Sequence, residues 1–129
     1  MNSFSLKRVI VADNDEDSRD ALSDILEFKG IEVVAKAING YDAVQKFSKY
    51  MPDVVLMDMM MPQYDGFYGL EHIKNIDPDA KIIIITADQT DETRTKLKKM
   101  QHALILLKPI DIEKLVKMIN EYIFLVMLS

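Results

Sequence analysis

Apolar and polar positions along this chain alternate between two rhythms. Short apolar runs are each followed by a stretch in which apolar residues return at helical spacing. Val9-Ile10-Val11-Ala12 is β-rich and ends in acids; Ala21, Leu22, Ile25 and Leu26 then recur as on one helix face, and Gly30 can end that helix. Ile31 to Ala35 reads as a second strand, and Gly40 opens a segment in which Ala43, Val44 and Phe47 share a face. Asp53-Val54-Val55-Leu56-Met57 is a third strand, fenced by Pro52 and Pro62. Phe67, Leu70, Ile73 and Ile76 mark a third helix, stopped before Pro78. Lys81 to Ile85 is a fourth, continuously apolar strand. Asp91 to Met100 is helix-compatible but poor in apolar residues, with Leu97 and Met100 as its main anchors. Ala103 to Leu107 is a fifth strand, and Ile112, Leu115, Val116, Ile119 and Ile123 give a fifth helix a strong stripe.

Strand and helix thus alternate through five units. Runs that are apolar throughout, rather than every second residue, belong to strands covered on both faces, as in a parallel sheet under helices. Right-handed crossovers then favour a doubly wound α/β domain. The 129 residues suit one domain, read here as residues 1–129 with a packed part at about 6–123 and an apolar tail at 123–129. No repeat or low-complexity linker interrupts it.

Composition narrows the chemistry. With no cysteine there is no disulfide, thiolate metal site or Cys nucleophile, which is compatible with a cytoplasmic location. A net charge of -5 argues against a nucleic-acid surface. The N-terminal MNSFSLKRVI lacks the apolar core of a signal peptide, and the run Ile123 to Leu128 is too short to span a bilayer. Six consecutive apolar residues cannot share one helix face. They cover a groove on the domain or a partner molecule, and a homodimer through the fifth helix and this tail is one expectation.

In an open α/β sheet, ligands bind beyond the carboxyl ends of the strands. Asp13, Asn14, Asp15 and Glu16 follow the first strand, Asp58 the third, Thr86 with Ala87 and Asp88 the fourth, and Lys108 with Pro109 the fifth. Grouped carboxylates repel: two unit charges about 4 Å apart cost on the order of 4 kcal/mol at an effective dielectric near 20. An oxygen-rich site of this kind suits Mg²⁺, which binds through one or two carboxylates plus a phosphate. A carboxylate can also attack phosphorus to give an aspartyl phosphate, with metal and lysine neutralising the transferring group and the Thr86 hydroxyl bonding a phosphoryl oxygen. The plainer reading of Asp13 to Glu16 is a helix N-cap, and both readings can hold with different residues in each role. His72 and His102 have no partner pattern and read as surface residues; Met59-Met60-Met61 reads as soft packing.

The pieces VIVADNDEDSR, DVVLMDMMMPQYDG, IIIITA and ILLKP, in this order at these strand ends, resemble the receiver domain of two-component response regulators over nearly the whole chain. The resemblance implies a flavodoxin-like five-stranded parallel sheet of order 2-1-3-4-5 with five helices. It implies Asp58 as phosphoacceptor, and Asp13, Asn14, Asp58 and the Met60 backbone carbonyl as Mg²⁺ ligands. Thr86 and Lys108 become the phosphoryl-binding and switch pair, Pro109 the site of a cis peptide bond, and Gly66 the turn before the third helix. The implied role is that of a phosphoacceptor rather than an enzyme, beyond self-phosphorylation and autodephosphorylation. It takes its phosphoryl group from a sensor histidine kinase or phosphotransfer protein and signals to a downstream protein target, without contacting nucleic acid or membrane.

Four positions depart from the family pattern. Asn14 stands where a second metal-binding carboxylate is usual, Ile105 where a switch Tyr or Phe is usual, and Met60 and Asp88 at positions that set the lifetime of the phosphoryl group. Asn14 and Ile105 keep open a rival reading, a pseudo-receiver that works as an interaction module without phosphate. A flavin carrier on the same fold is disfavoured by the acids after the first strand. An Asp-nucleophile phosphohydrolase would need an acid where Met60 stands.

Overall fold

The computed structural model describes residues 6–99 and 103–128. Five strands, β1 (Arg8–Ala12), β2 (Glu32–Ala37), β3 (Val54–Asp58), β4 (Ile82–Thr86) and β5 (Ala103–Leu107), form one parallel sheet in the order β2-β1-β3-β4-β5. Six helices cover it: α1 (Glu16–Phe28), α2 (Gly40–Tyr50), α3 (Gly66–Ile76), α4 (Asp91–Lys99), α5 (Ile112–Asn120) and α6 (Tyr122–Leu128). This is the flavodoxin-like order expected from the sequence, with one helix more.

Successive strand residues point to opposite sheet faces, so the central strands feed two cores. On one face Ile10, Val55, Met57, Ile82 and Ile84 meet α2 and α3 through Phe47, Leu70 and Ile73. On the other Val9, Val11, Leu56, Ile83 and Ile85 meet α1, α5 and α6 through Leu26, Leu115, Ile119 and Tyr122. β3 and β4 are buried along their whole length, which is why they read as unbroken apolar runs. β5 is a sheet edge, and Ile105 and Leu107 are partly exposed there.

Several boundaries and faces shift from the expectation. β2 runs to Ala37, and β3 and β4 each begin and end one residue later than expected, so that Asp58 and Thr86 are the last residues of their strands. Asp53 instead accepts a hydrogen bond from the Arg8 amide, 2.7 Å. On α1, Ala21 and Ile25 face solvent while Ser23 is buried; its hydroxyl is satisfied by donating to the Arg19 carbonyl at 2.7 Å, so its burial leaves nothing unpaired. Gly30 ends α1 as expected, at φ 84° in the left-handed region that glycine enters without a Cβ clash. Ile76 is exposed. The expected fifth helix breaks at Glu121 and restarts as α6, so Ile123 leaves the buried stripe and Tyr122 takes its place. The Tyr122 hydroxyl accepts from the Ile82 N–H and donates to the Ile82 carbonyl, both at 2.9 Å, which fastens α6 beneath β4. Met100 and His102 lie outside the described residues. Among those described, no helix is long and apolar enough to cross a membrane.

Candidate functional site

Asp58 sits at the carboxyl end of the central strand β3, where the residue is only 6% exposed. A buried carboxylate needs partners. The Lys108 ammonium donates to Asp58 Oδ2 at 2.9 Å, and the Met60 backbone N–H donates to Oδ1 at 3.2 Å. Lys108 is held by the sheet: its backbone N–H donates to the Thr86 carbonyl at 2.9 Å, and the Lys108–Pro109 peptide is cis, as expected for Pro109.

Asp13 arrives from the neighbouring strand end. Its N–H donates to the Ala37 carbonyl at 3.0 Å, continuing the ladder past Ala12, and its Oδ1 accepts from the Asp15 N–H at 2.9 Å. Asp13, Asp58 and Lys108 line one small cavity of about 20 Å³, floored by Val11, Leu56 and Ile85. Burial raises the pKa of the Asp13 carboxyl above the ordinary carboxylate value, and the nearby charge of Asp58 pushes the same way. A cation between the two acids would relieve both effects.

The acidic run after β1 divides its labour. Asp15 is the N-cap of α1: its Oδ2 accepts from the Ser18 N–H at 2.9 Å, and the hydrogen bonds from Ser18 hold its carboxyl below the ordinary range. It is therefore committed to the helix and does not replace an acid at Asn14, which is exposed beside it. Among the described residues no three His, Cys, Asp or Glu side chains gather as metal ligands. The two carboxylates of Asp13 and Asp58, which line one cavity, nonetheless suit a small hard cation. Mg²⁺ takes one or two carboxylates and fills its remaining positions with water and phosphate.

Thr86 is not gathered into this cavity. It is 1% exposed, and its Oγ1 accepts from the Asp88 N–H at 2.9 Å. It lines a separate cavity of about 410 Å³ between α4 and β5, together with Asp88, Thr93, Leu97 and Ile105. Asp88, singled out by the resemblance for another role, turns out to link Thr86 to α4. Its Oδ1 accepts from the Thr90 N–H at 2.9 Å, and its Oδ2 accepts from the buried Thr93 hydroxyl at 2.7 Å, so it ties Thr86 to α4. These bonds, Thr93's first, hold the Asp88 carboxyl below the ordinary range. The direction of the Thr86 and Thr93 hydroxyls, on which this arrangement rests, is set by the folded neighbours and not by the local sequence.

Ile105, on the edge strand, is 41% exposed and faces this second cavity without a ring to fill it. Met60 is 68% exposed, whereas Met59 and Met61 are buried packing residues. His72 is half-buried; its Nδ1–H donates to the Tyr68 carbonyl at 2.9 Å and its ring stacks on Tyr68, so it plays a structural part away from the site.

Comparison with known proteins speaks to family and fold. Residues 9–120 match the family model described as the response regulator receiver domain. The chemotaxis protein CheY of Thermotoga maritima is 34% identical over 115 residues, spanning 89% of this chain and 96% of that protein. CheY of Bacillus subtilis is 44% identical over 80 residues, spanning 62% and 67%. Among solved structures, the CheX–CheY–BeF3–Mg²⁺ complex from Borrelia burgdorferi aligns with a TM-score of 0.81 at 25% identity, covering 92% of this chain and 89% of that one. A match along 9–120, a CheY relative covered nearly end to end and the shared strand order lead to one conclusion: the chain belongs to the response regulator receiver family, with a CheY-like fold.

Proposed function

We propose that Asp58 is the phosphoacceptor of this receiver, taking a phosphoryl group from a phosphohistidine on a sensor kinase or phosphotransfer protein. The observation that carries the reading is the buried Asp58 carboxylate, 2.9 Å from the Lys108 ammonium and sharing a cavity with Asp13. In the step proposed, an Asp58 oxygen forms a bond to phosphorus while the P–N bond breaks and the donor imidazole takes up a proton. Lys108 supplies positive charge beside the oxygens on which charge is redistributed, and the Met60 N–H holds the other carboxylate oxygen. A Mg²⁺ ion held by Asp13, Asp58, Asn14 and the Met60 carbonyl would neutralise charge on the group being transferred. Loss of the carboxylate usual at Asn14 removes one negative charge from that set, so weaker Mg²⁺ binding is expected than in an Asn14→Asp variant.

The acyl phosphate adds charge and acceptor oxygens at the end of β3. For its hydroxyl to reach them, Thr86 must release the Asp88 N–H, and Asp88 also holds Thr93 on α4. Transmission therefore runs from Thr86 through Asp88 to α4, biasing a two-state equilibrium without the ring that Ile105 lacks. The reader of that change is a downstream protein. The domain, residues 1–129 in this reading, acts in the cytoplasm as a switch and not as an enzyme on other substrates.

Acetyl phosphate with Mg²⁺, followed by intact-mass spectrometry, tests the proposal. One phosphoryl adduct is expected on the wild-type chain and none on Asp58→Asn. An unmodified wild-type chain would instead favour the phosphate-independent interaction module that Asn14 and Ile105 leave open.

A further inference from the structure

At the opposite end of the sheet from Asp58 the chain carries a second feature, which the receiver chemistry does not use. α6 lies wholly beyond the family-matched segment, which ends at residue 120. It has no polar residue except the Tyr122 hydroxyl, and that group is engaged with Ile82. Tyr122, Leu125 and Val126 face the core, while Ile123, Phe124, Met127 and Leu128 are 53–78% exposed. A surface helix normally turns polar residues to solvent, and one that is apolar all round is normally buried. Here only one side is buried within the chain. The exposed side walls a groove of about 690 Å³ whose other lining includes Lys7, Lys81, Ile119 and Glu121. Lys7 precedes β1 and Lys81 precedes β4, so the groove lies under the amino ends of the strands.

We propose that this groove is a homodimer interface, in which two copies related by a two-fold axis each lay Phe124 and Met127 into the other's groove. Ridge and groove are adjacent parts of one surface, which is what an isologous contact requires. The rim is self-complementary in charge. Lys7 and Lys81 stand opposite in sign to Glu121, and none of the three is in an ion pair among the described residues, so each copy's Glu121 meets the other's lysines. Four large, mostly exposed side chains offer an apolar patch on the order of 400 Å² per copy; with the groove walls this reaches the low end of specific interfaces. The dimer is therefore weak and exchanging. A membrane is the poorer occupant, because an interfacial helix needs a basic polar face and α6 has no polar face. The contact leaves Asp58 uncovered at the other end of the sheet and does not depend on its phosphorylation.

Sedimentation velocity over a concentration series, with the whole chain, tests this. The wild-type chain should associate with a dissociation constant on the order of micromolar to tens of micromolar. Phe124→Asp with Met127→Asp should weaken association by at least about a hundredfold while circular dichroism stays unchanged, because both side chains lie outside the core. Glu121→Lys should weaken it about tenfold, and adding Lys7→Glu and Lys81→Glu should restore it. Asp58→Asn should dimerise like the wild type, so failure of the phosphoacceptor reading and of this one are distinguishable. A chain monomeric at every concentration, a dimer that survives the Phe124 and Met127 substitutions, or a monomer that cosediments with anionic vesicles would overturn the proposal.

Discussion

The two helices that flank the end of Asp58's strand are fastened in opposite ways. α3 is locked by backbone proximity. A Cβ on Gly66 would stand 2.7 Å from the Asp58 carbonyl oxygen and 2.8 Å from Met59 Cα. One on Gly40 would meet the Asp65 carbonyl oxygen and stand 3.0 Å from the Gly69 amide nitrogen, so α2, α3 and the loop between β3 and α3 touch main chain to main chain. Their close approach also lines up Tyr41, Tyr64, Tyr68 and His72, with successive ring centroids 5.4, 4.8 and 3.9 Å apart. α4 has no such packing. Among the described residues, Thr93 and Leu97 are the ones buried on it, and its ties include the Asp88–Thr93 hydrogen bond, the Thr93 N–H to the Thr90 hydroxyl and the Lys96 ammonium, 4.1 Å from the Phe67 ring centroid. One flank is held tightly beside Asp58, and the other is held by few buried contacts. Local stability follows buried contacts, so the end of β3 lies between a rigid side and a soft one.

The comparison breaks most visibly at Gly40. Gly40→Val forces backbone against backbone and should destabilise the fold by about 3 kcal/mol or more in urea unfolding. Gly69→Ala should cost less, about 1–2 kcal/mol, because the atoms in the way are the flexible Met57 Sδ and Cε at 2.7 and 2.6 Å. Equal losses at the two glycines would mean that the α2–α3 contact is not limited by main chain.

On the soft flank, Thr93→Val removes the hydroxyl that holds Asp88 while keeping the shape. The expected loss of global stability is about 1 kcal/mol. Hydrogen exchange should report the difference, with faster exchange along α4 and unchanged protection along α3. Uniform acceleration of both helices would show that α4 does not open separately.

The smallest effect is in pH. The folded-state pKa of Asp88 lies below its unfolded value, so the folded chain binds this proton more weakly. The resulting stabilisation is present above the unfolded carboxylate value and is lost as pH falls through the lower folded value. Protection of α4 should therefore fall over that acidic window in the wild type, and less so in Thr93→Val, where the largest cause of the shift is gone. A Thr93→Val profile identical to the wild type would remove Asp88 from the coupling.

What the chain reveals before folding, and what it hides, follows from the reach of each interaction. Strand runs such as Ile82 to Ile85 and stripes such as Leu115 and Ile119 are local periodicities, and they carried the α/β class, the strand ends and hence the gathering of Asp13, Asp58 and Lys108. The register of the resembling segments supplied the strand order. The face of α1 was misjudged by one position because Ser23 satisfies its own hydroxyl within the helix. The helix break at Glu121 escaped because nothing local forbids Ile123 from continuing the stripe; the Tyr122 hydroxyl, bonded to Ile82 forty residues away, decides it. Thr86 stands at the expected strand end, but the expectation that it joins the Asp58 cavity fails, because a hydroxyl's direction depends on its neighbours' amides, here that of Asp88. Sequence alone determined which residues reach which end of the sheet, since alternation and apolar spacing act over a few residues. Only the tertiary structure decided which of them bond to one another, since hydrogen bonds and close packing require positions that chain separation does not encode.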